Sequence, residues 1–394
     1  MKKLILILSV LIILKANVLL ASNVKDEAEW TIIVFMNGGH LFKTFADRDI
    51  NEMKKIGSNE KVNIVVLNEC CDKPSKLLYI KKNSYDVLRS YSNLDAGDYN
   101  VLINFFKESC DRYPARKYML VMWRHGQLFI KRRGFERQYY DEISKSYKTG
   151  KKISVNEFSL VLKQIVDLIG HKIDVLGMDI NMMQKYEYLL NLKDYVQYYV
   201  ASEECVPGNG WCYDIILKKL IENPKISSKE LSSLIVNSYK ENYINRESAT
   251  LSAIDLNNFE DANSYLNKIS FELIEMLKNP QMNILVKRAI HCVQRYANED
   301  YCDLVDFCDK LIFEFKKENI KNKSGIFENL KEVITDKLVT DECVCDTGVK
   351  NSHGVAIYLP LSNVNDGYKK LDAYKLKWTE FTGGLGCLDS FFRG

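Results

Sequence analysis

Four side chains have the types and positions to do chemistry together. His125 follows the run 118–123 by two residues. An imidazole there can take and give protons near neutral pH. Asp179 closes the run 173–178, and a carboxylate in a cleft favours a cationic side chain. Asn181 stands two residues further on, and Cys205 follows the run 198–202. Only the thiol is a ready nucleophile, because a thiolate is accessible near neutral pH. The carboxamide of Asn181 has a delocalised nitrogen lone pair and no easily lost proton. It can donate and accept hydrogen bonds but cannot form an acyl-enzyme. Each position also has a structural alternative. His125 fits a hydrogen-bonded strand-end residue, and Asp179 fits the cap of a helix starting near Asn181. Cys205 fits a disulfide with Cys212 or a thiol without reactive role.

The surrounding elements decide whether these side chains meet. Residues 30–37, 62–67, 118–123, 173–178 and 198–202 read as strands, and 77–80 as a short edge strand. Residues 47–56 carry Ile50, Met53 and Ile56 at helical spacing. Asp98 is the expected N-cap of a helix to about residue 112, with Leu102, Phe105 and Phe106 on one side. Ser154-Val155-Asn156-Glu157 is a capping box opening a helix to about residue 169. Strands alternating with helices imply an α/β fold, a mostly parallel sheet covered on both faces. Ligands bind beyond the carboxyl ends of such strands. His125 and Asn181 lie just past two of those ends, so they are expected to face each other.

Residues 127–152 break this rhythm. They carry Lys131, Arg132, Arg133, Arg137, Lys145, Lys148, Lys151 and Lys152 without a sustained period, and read as a long, solvated basic loop. From residue 227 the character changes. Ser227-Ser228-Lys229-Glu230 is a second capping box, and helical stretches follow to about residue 339, broken by the strand-like 250–255. A last strand is expected over 354–359. The chain is thus read as a leader (1–22), an α/β domain (23–226) and a mainly helical C-terminal region (227–394) packed on it.

Lys2 and Lys3, the apolar run 4–14 broken only by Ser9, and the small pair Ala21-Ser22 read as a signal peptide. The run is short of the roughly 20 residues a membrane span needs. No later segment is long and apolar enough. An exported protein is expected, periplasmic, extracellular or at the cell surface, with no membrane span after removal of the leader. With 394 residues, 46% of them hydrophobic, the chain can bury one large core or two ordinary ones. A net charge of +3 gives no argument for nucleic acid. The count of 11 Cys leaves at least one unpaired. Neither Cys70-Cys71 nor Cys343-Val344-Cys345 has zinc spacing, and His40, His171, His291 and His353 show no metal-ligand spacing. No metal and no assured cofactor is expected.

A series of short pieces recurs in a specific order. It comprises residues 30–39, Asn51-Glu52-Met53 with Gly57, Trp123 with His125-Gly126, and residues 174–179. It continues through Ala201-Ser202-Glu203-Glu204, residues 207–211, Tyr213-Asp214 and residues 251–256. Asp303-Leu304, Asp306-Phe307 and residues 354–360 complete it. This order resembles the clostripain-like cysteine peptidases over nearly the whole chain after the leader. The resemblance implies a caspase-like α/β sandwich with a mostly parallel central sheet and a helical C-terminal region. It implies a Cys–His dyad with His125 as general base, and Asp179 helping to shape a pocket for Arg or Lys. It further implies a peptide or protein partner carrying those residues, a self-processing site for which Lys131-Arg132-Arg133 would suit, and calcium as a requirement of some relatives.

Three departures fall at the reaction centre. The place of the catalytic Cys falls on Asn181. Arg124 precedes His125 where members carry Asp or a small residue. Gln127-Leu128-Phe129 replaces a glycine-rich run. With the scaffold retained, these changes point to lost chemistry. Three outcomes stay open. The first is an impaired homologue that still binds basic or extended peptides. The second is an active Arg/Lys-specific cysteine peptidase using a displaced thiol such as Cys205. The third is a non-enzymatic interaction protein on the same fold.

Overall fold

Strands that are apolar on both faces must be covered on both faces, and the chain achieves this with helices that alternate between the two sides of one sheet. The computed structural model describes residues 27–39, 42–70, 73–123, 142–146, 148–361 and 363–385. It opens with β1 (Ala28–Asn37), α1 (Lys43–Ile56) and β2 (Val62–Glu69). A hairpin of β3 (Ser75–Lys81) and β4 (Ser84–Tyr91) leads through α2 (Tyr99–Arg112) to β5 (Ala115–Trp123). A second hairpin, β6 (Glu142–Lys145) and β7 (Lys152–Ser154), precedes α3 (Val155–Ile169), β8 (Ile173–Asp179), α4 (Tyr186–Leu192) and β9 (Val196–Ala201). Next come α5 (Tyr213–Glu222), α6 (Ser228–Tyr243), β10 (Thr250–Asp255), α7 (Phe259–Lys278) and α8 (Pro280–Cys292). The described chain ends with β11 (Tyr301–Asp303), α9 (Leu304–Lys317), α10 (Gly325–Val333), β12 (Val339–Val344), β13 (Ala356–Tyr358) and α11 (Lys377–Gly384).

The main sheet has nine strands in the order β12-β10-β9-β8-β5-β1-β2-β3-β4. Its centre, β2-β1-β5-β8-β9, is parallel. Antiparallel strands extend it at both sides. β10 and β12 lie beyond residue 227, so the C-terminal region completes the sheet of the first part. Strand alternation separates two cores. Ile33 and Phe35 of β1, Leu120 and Met122 of β5, and Leu176 and Met178 of β8 pack under α2, α3 and the later helices. Ile32 and Val34, Met119 and Val121, and Val175 face α1, α5 and α6.

Register then sets the site. Trp123 pairs with Met36 of β1 on one side and with Asp179 of β8 on the other. By alternation, Trp123 and Asp179 share the face covered by α1 and α5. Gly177 shares it too, and a Cβ there would lie 2.6 Å from Cη2 of Trp211, a fully buried ring. The Trp211 ring therefore packs directly against the backbone of Gly177.

Both expected capping boxes form, at Ser154 with Glu157 and at Ser227 with Glu230. Asp98 caps α2 by accepting from the Asn100 N–H. Other elements differ from expectation. Residues 77–80 lie in β3, which is not an edge. β4 covers it, and most of β4 is exposed. Its eight residues lack apolar alternation, and the hairpin turns on Asn83 with φ of 62°, a left-handed geometry Asn tolerates. The solvated loop expected over 127–152 is corrected at its end, where β6 and β7 pair. Ile143 and Ile153 are buried there, and Asn37 donates to Ser144 Oγ (3.0 Å) and to the Lys145 carbonyl (2.7 Å). The strand expected over 354–359 shortens to β13, which pairs with β11 outside the main sheet.

Gly177→Ala forces the Trp211 ring off β8. The expected result is a loss of about 1–3 kcal/mol, typical of overpacking, read from the urea midpoint. An unchanged midpoint would mean that the Trp211 ring gives way freely.

Candidate functional site

β8 ends at Asp179, and residues 180–185 form a turn before α4 starts at Tyr186. A helix beginning near Asn181 is not formed. The reason is a set of tertiary hydrogen bonds to the segment after β9. The Met182 N–H donates to the Glu204 carbonyl (3.1 Å), and the Gln184 N–H to the Ser202 carbonyl (2.9 Å). The Val206 N–H donates to Asn181 Oδ1 at 2.8 Å. Met182 is held at φ of 54°, a conformation costing on the order of 1–2 kcal/mol for a residue with a side chain. Asn181 is half-buried and its amide oxygen staples two loops together.

Asp179 does not cap α4. Its buried Oδ2 accepts from the Trp211 N–H (3.2 Å) and the Tyr213 hydroxyl (3.0 Å). Burial holds its carboxyl above the usual range, to about 6. Nearby, Trp123 Nε1 donates to Asp49 Oδ2 at 2.7 Å. Asp49 is also fully buried. Burial first, and then the charge of Asp179, raise its carboxyl to about 7. Glu52, one turn along α1, accepts from the Tyr213 N–H (3.2 Å), and burial followed by Asp49 raises it to about 7. Arg48 opposes all three charges. Three acids thus gather behind the ends of β5 and β8.

Cys205 and Cys212 are both free thiols, so the disulfide alternative does not hold. Burial, and then Glu204, push the Cys205 thiol up to about 12. Burial, followed by Glu52, Asp214, Asp179 and Asp49, does the same to Cys212. Glu204 itself accepts from the Cys205 N–H (2.7 Å) and the Ala297 N–H (3.0 Å).

His125 lies outside the described residues, as do Arg124, Gln127-Leu128-Phe129, Lys131-Arg132-Arg133, His40 and the leader. What is described is the frame of the expected pairing. β5 and β8, whose ends His125 and Asn181 follow in sequence, are parallel neighbours with Trp123 opposite Asp179. The role of Asp49 was missed in the sequence, yet a signal was present. Ala46, Asp49, Ile50 and Met53 are the buried residues of α1, at the spacing of one helical face. An acid on such a stripe needs partners. Among the described residues, no group of three or more His, Cys, Asp and Glu could hold a metal ion. Among the same residues, no helix is long and apolar enough to cross a membrane.

The family model of the clostripain family, peptidase C11, matches residues 34–386. No curated protein matches the chain. Solved structures do. A secreted C11 cysteine protease from Bacteroides thetaiotaomicron, in complex with an irreversible peptide inhibitor, is 17% identical with a TM-score of 0.63, covering 90% of this chain and 99% of that one. An inactive zymogen C11 protease from Parabacteroides distasonis is 14% identical with a TM-score of 0.66, covering 90% and 98%. A further secreted C11 protease from Bacteroides thetaiotaomicron, iotapain, is 13% identical with a TM-score of 0.66, covering 90% and 99%. At these identities the likeness is one of fold.

The raised carboxyls give a pH signature. Folded Asp179 keeps its proton to about pH 6 against a usual value of 3.8, so between these values the folded state binds more protons than the unfolded one. Stability then falls as pH rises through that window and levels off above it. Asp179→Asn keeps an acceptor for Trp211 and Tyr213. It is expected to make the decline between about pH 4 and pH 7 shallower by on the order of 2–3 kcal/mol. Urea unfolding across that range checks this; an unaltered slope would mean that Asp179 is ionised throughout.

Proposed function

The chain belongs to the clostripain family, with the α/β fold of its C11 cysteine proteases, and we propose that it is an exported, peptide-binding member whose cleavage chemistry is impaired. One observation carries this reading: the turn after β8 presents a carboxamide, and its oxygen is already taken by the Val206 N–H. In this reading Asn181 holds the nucleophile position and His125 the general-base position. Peptide cleavage by a Cys–His pair needs a thiolate to attack the carbonyl and an imidazole to carry protons. A carboxamide supplies neither a nucleophile nor a leaving group for an acyl intermediate. Loss of a nucleophile commonly costs several orders of magnitude, leaving only binding and oxyanion contacts.

The preference proposed is for basic side chains. Asp49, Glu52 and Asp179 gather behind the ends of β5 and β8 and supply negative charge as the pH rises through about 6 to 7, and a low-dielectric setting strengthens attraction for a cation. Export rests on the leader-like residues 1–22 and agrees with the description of two structural neighbours as secreted. The alternative of Cys205 as a displaced nucleophile is disfavoured by its electrostatics. A thiol pushed to about 12 is ionised in roughly one molecule in 10⁵ at pH 7. A purely non-enzymatic role on the same fold differs from the proposal in lacking peptide affinity.

The test is hydrolysis of Arg- and Lys-ended fluorogenic peptides by the unsubstituted protein and by Asn181→Cys, with and without calcium, alongside direct binding of the same peptides. Asn181→Cys is expected to gain partial, thiol-dependent cleavage that His125→Ala removes. It also gives up the bond from Val206, worth about 1 kcal/mol, so a modest fall in stability accompanies the gain. Clear thiol-dependent turnover by the unsubstituted protein would refute impairment. Absence of peptide binding would leave the non-enzymatic role.

A further inference from the structure

The three acids behind β5 and β8 already face a cation, and it belongs to the chain itself. Arg48 Nε and Nη2 donate to Asp49 Oδ1 at 3.0 and 2.8 Å. Nε also lies 3.9 Å from Glu52 Oε1. On its other edge the guanidinium reaches the loop that follows Cys205. Nη2 donates to the carbonyls of Asn209 (2.6 Å) and Gly208 (3.4 Å), and Nη1 to Asn209 Oδ1. Its carbon stands 5.5 Å from the centre of the Phe45 ring. The side chain keeps 31% of its surface exposed, whereas that of Asp49 is at 0%. The recess is thus open at the arginine and closed behind the acid.

This is a complete guanidinium site. It has carboxylates at one edge, backbone carbonyls at the other and an aromatic ring alongside, the set that a planar five-donor fork matches and an ammonium does not. An arginine brought by a peptide would seek the same partners. We infer that Arg48 is an internal occupant of this acidic recess and sets what the cleft accepts, so that a basic side chain from outside must compete with it. The inference deepens the peptide-binding reading and rests on it only for the peptide measurements. Arg48 is a specificity-determining residue in this account and takes no part in bond breaking.

Charge counting agrees with the geometry. One guanidinium cannot neutralise three carboxylates, and Asp49 and Glu52 both hold protons to about pH 7. Arg48 lowers the proton affinity of Asp49, Glu52 and Asp179 alike, so without it all three hold their protons to still higher pH. A vacated recess should therefore take up a cation more strongly as the pH rises above neutrality, with the cation restoring the ionisation that Arg48 had favoured.

The experiment uses the full chain at pH 8 with Arg48→Ala, Arg48→Gln and, as a control for net charge on the same helix, Lys54→Ala. Methylguanidinium at millimolar concentration is titrated while the melting temperature is followed. Acetylated peptides ending in Arg or in norleucine are titrated calorimetrically. Expected are a saturable, methylguanidinium-dependent rise in melting temperature in both Arg48 variants and none in the unsubstituted protein or Lys54→Ala. The Arg-ended peptide should bind at least tenfold tighter to the Arg48 variants, with the norleucine peptide unchanged. A merely structural clamp would lower stability in both variants without creating a saturable site. Equal binding of the Arg-ended peptide by unsubstituted protein and variants would overturn the inference and leave the peptide reading standing. Methylguanidinium uptake without any peptide binding would uphold the inference and end the peptide reading. A folded Arg48→Gln that takes up neither would overturn the inference.

Discussion

Two buried carboxyls, Asp49 and Asp179, constrain everything around the ends of β5 and β8. Burying an ionised carboxylate without partners costs several kcal/mol, so each needs donors, a countercharge or a proton. The structure supplies all three. Trp123 Nε1 and Arg48 serve Asp49; Trp211 and Tyr213 serve Asp179; and both acids hold protons well above their ordinary range. The loop after Cys205 must therefore fold back over β8. At one point that path leaves no room for a side chain. Gly210 has φ of 60°, and a Cβ on it would stand 3.0 Å from Asp179 Oδ2. Tyr243, from α6, fixes the same loop by donating to the Gly210 carbonyl at 2.8 Å. A helix, a strand end and a glycine loop far apart in sequence are held by one electrostatic requirement.

The other border of the turn is fixed from the C-terminal region. Glu203 is buried and accepts from the Tyr296 hydroxyl (2.6 Å) and the Gly354 N–H (3.2 Å). Asp303 accepts from the N–H groups of Asp306 (2.6 Å) and His353 (2.7 Å). The two acids are hydrogen-bonded to each other, which requires a shared proton, and burial raises both. The next residue, Glu204, holds Ala297. The segment that staples Asn181 is thus itself tied to β11, α9 and the residues before β13. The C-terminal region completes the sheet through β10 and β12 and also sets the shape of the turn after β8.

Sequence patterns expose those parts of this arrangement that depend on local geometry. Apolar runs such as 118–123 and 173–178 can be strands of only one kind, and capping boxes at Ser154 and Ser227 act within four residues. The turn at 180–185 depends instead on hydrogen bonds to Val206, Glu204 and Ser202, eighteen or more residues away, and within the turn Met182 takes a left-handed conformation that no helix continues. β4 escapes the same logic because it is an exposed edge, where side chains need not alternate. β6 and β7 sit inside a charged stretch, and only Ile143 and Ile153 mark their buried face. Asp49 was legible in principle, as a polar residue on an apolar helical stripe. Its partner Trp123 was not, because strand register decides it.

The acids also bear on what a nucleophile would meet here. Negative charge that welcomes a basic side chain works against a thiolate, and Cys212 shows the effect, since Glu52, Asp214, Asp179 and Asp49 all add to its burial. A cysteine on the turn after β8 would need a positive partner close enough to outweigh that field. A carboxamide needs none. Asn181 carries no charge, is indifferent to the acids, and gives its oxygen to Val206 where a thiol would offer only a weak acceptor. In the proposed reading, the residue that removes the chemistry therefore also relaxes an electrostatic conflict and fastens the loop. A scaffold so fastened keeps the recess formed without any demand from catalysis, and what then governs it is the balance between Arg48 and the cations that reach it from solvent.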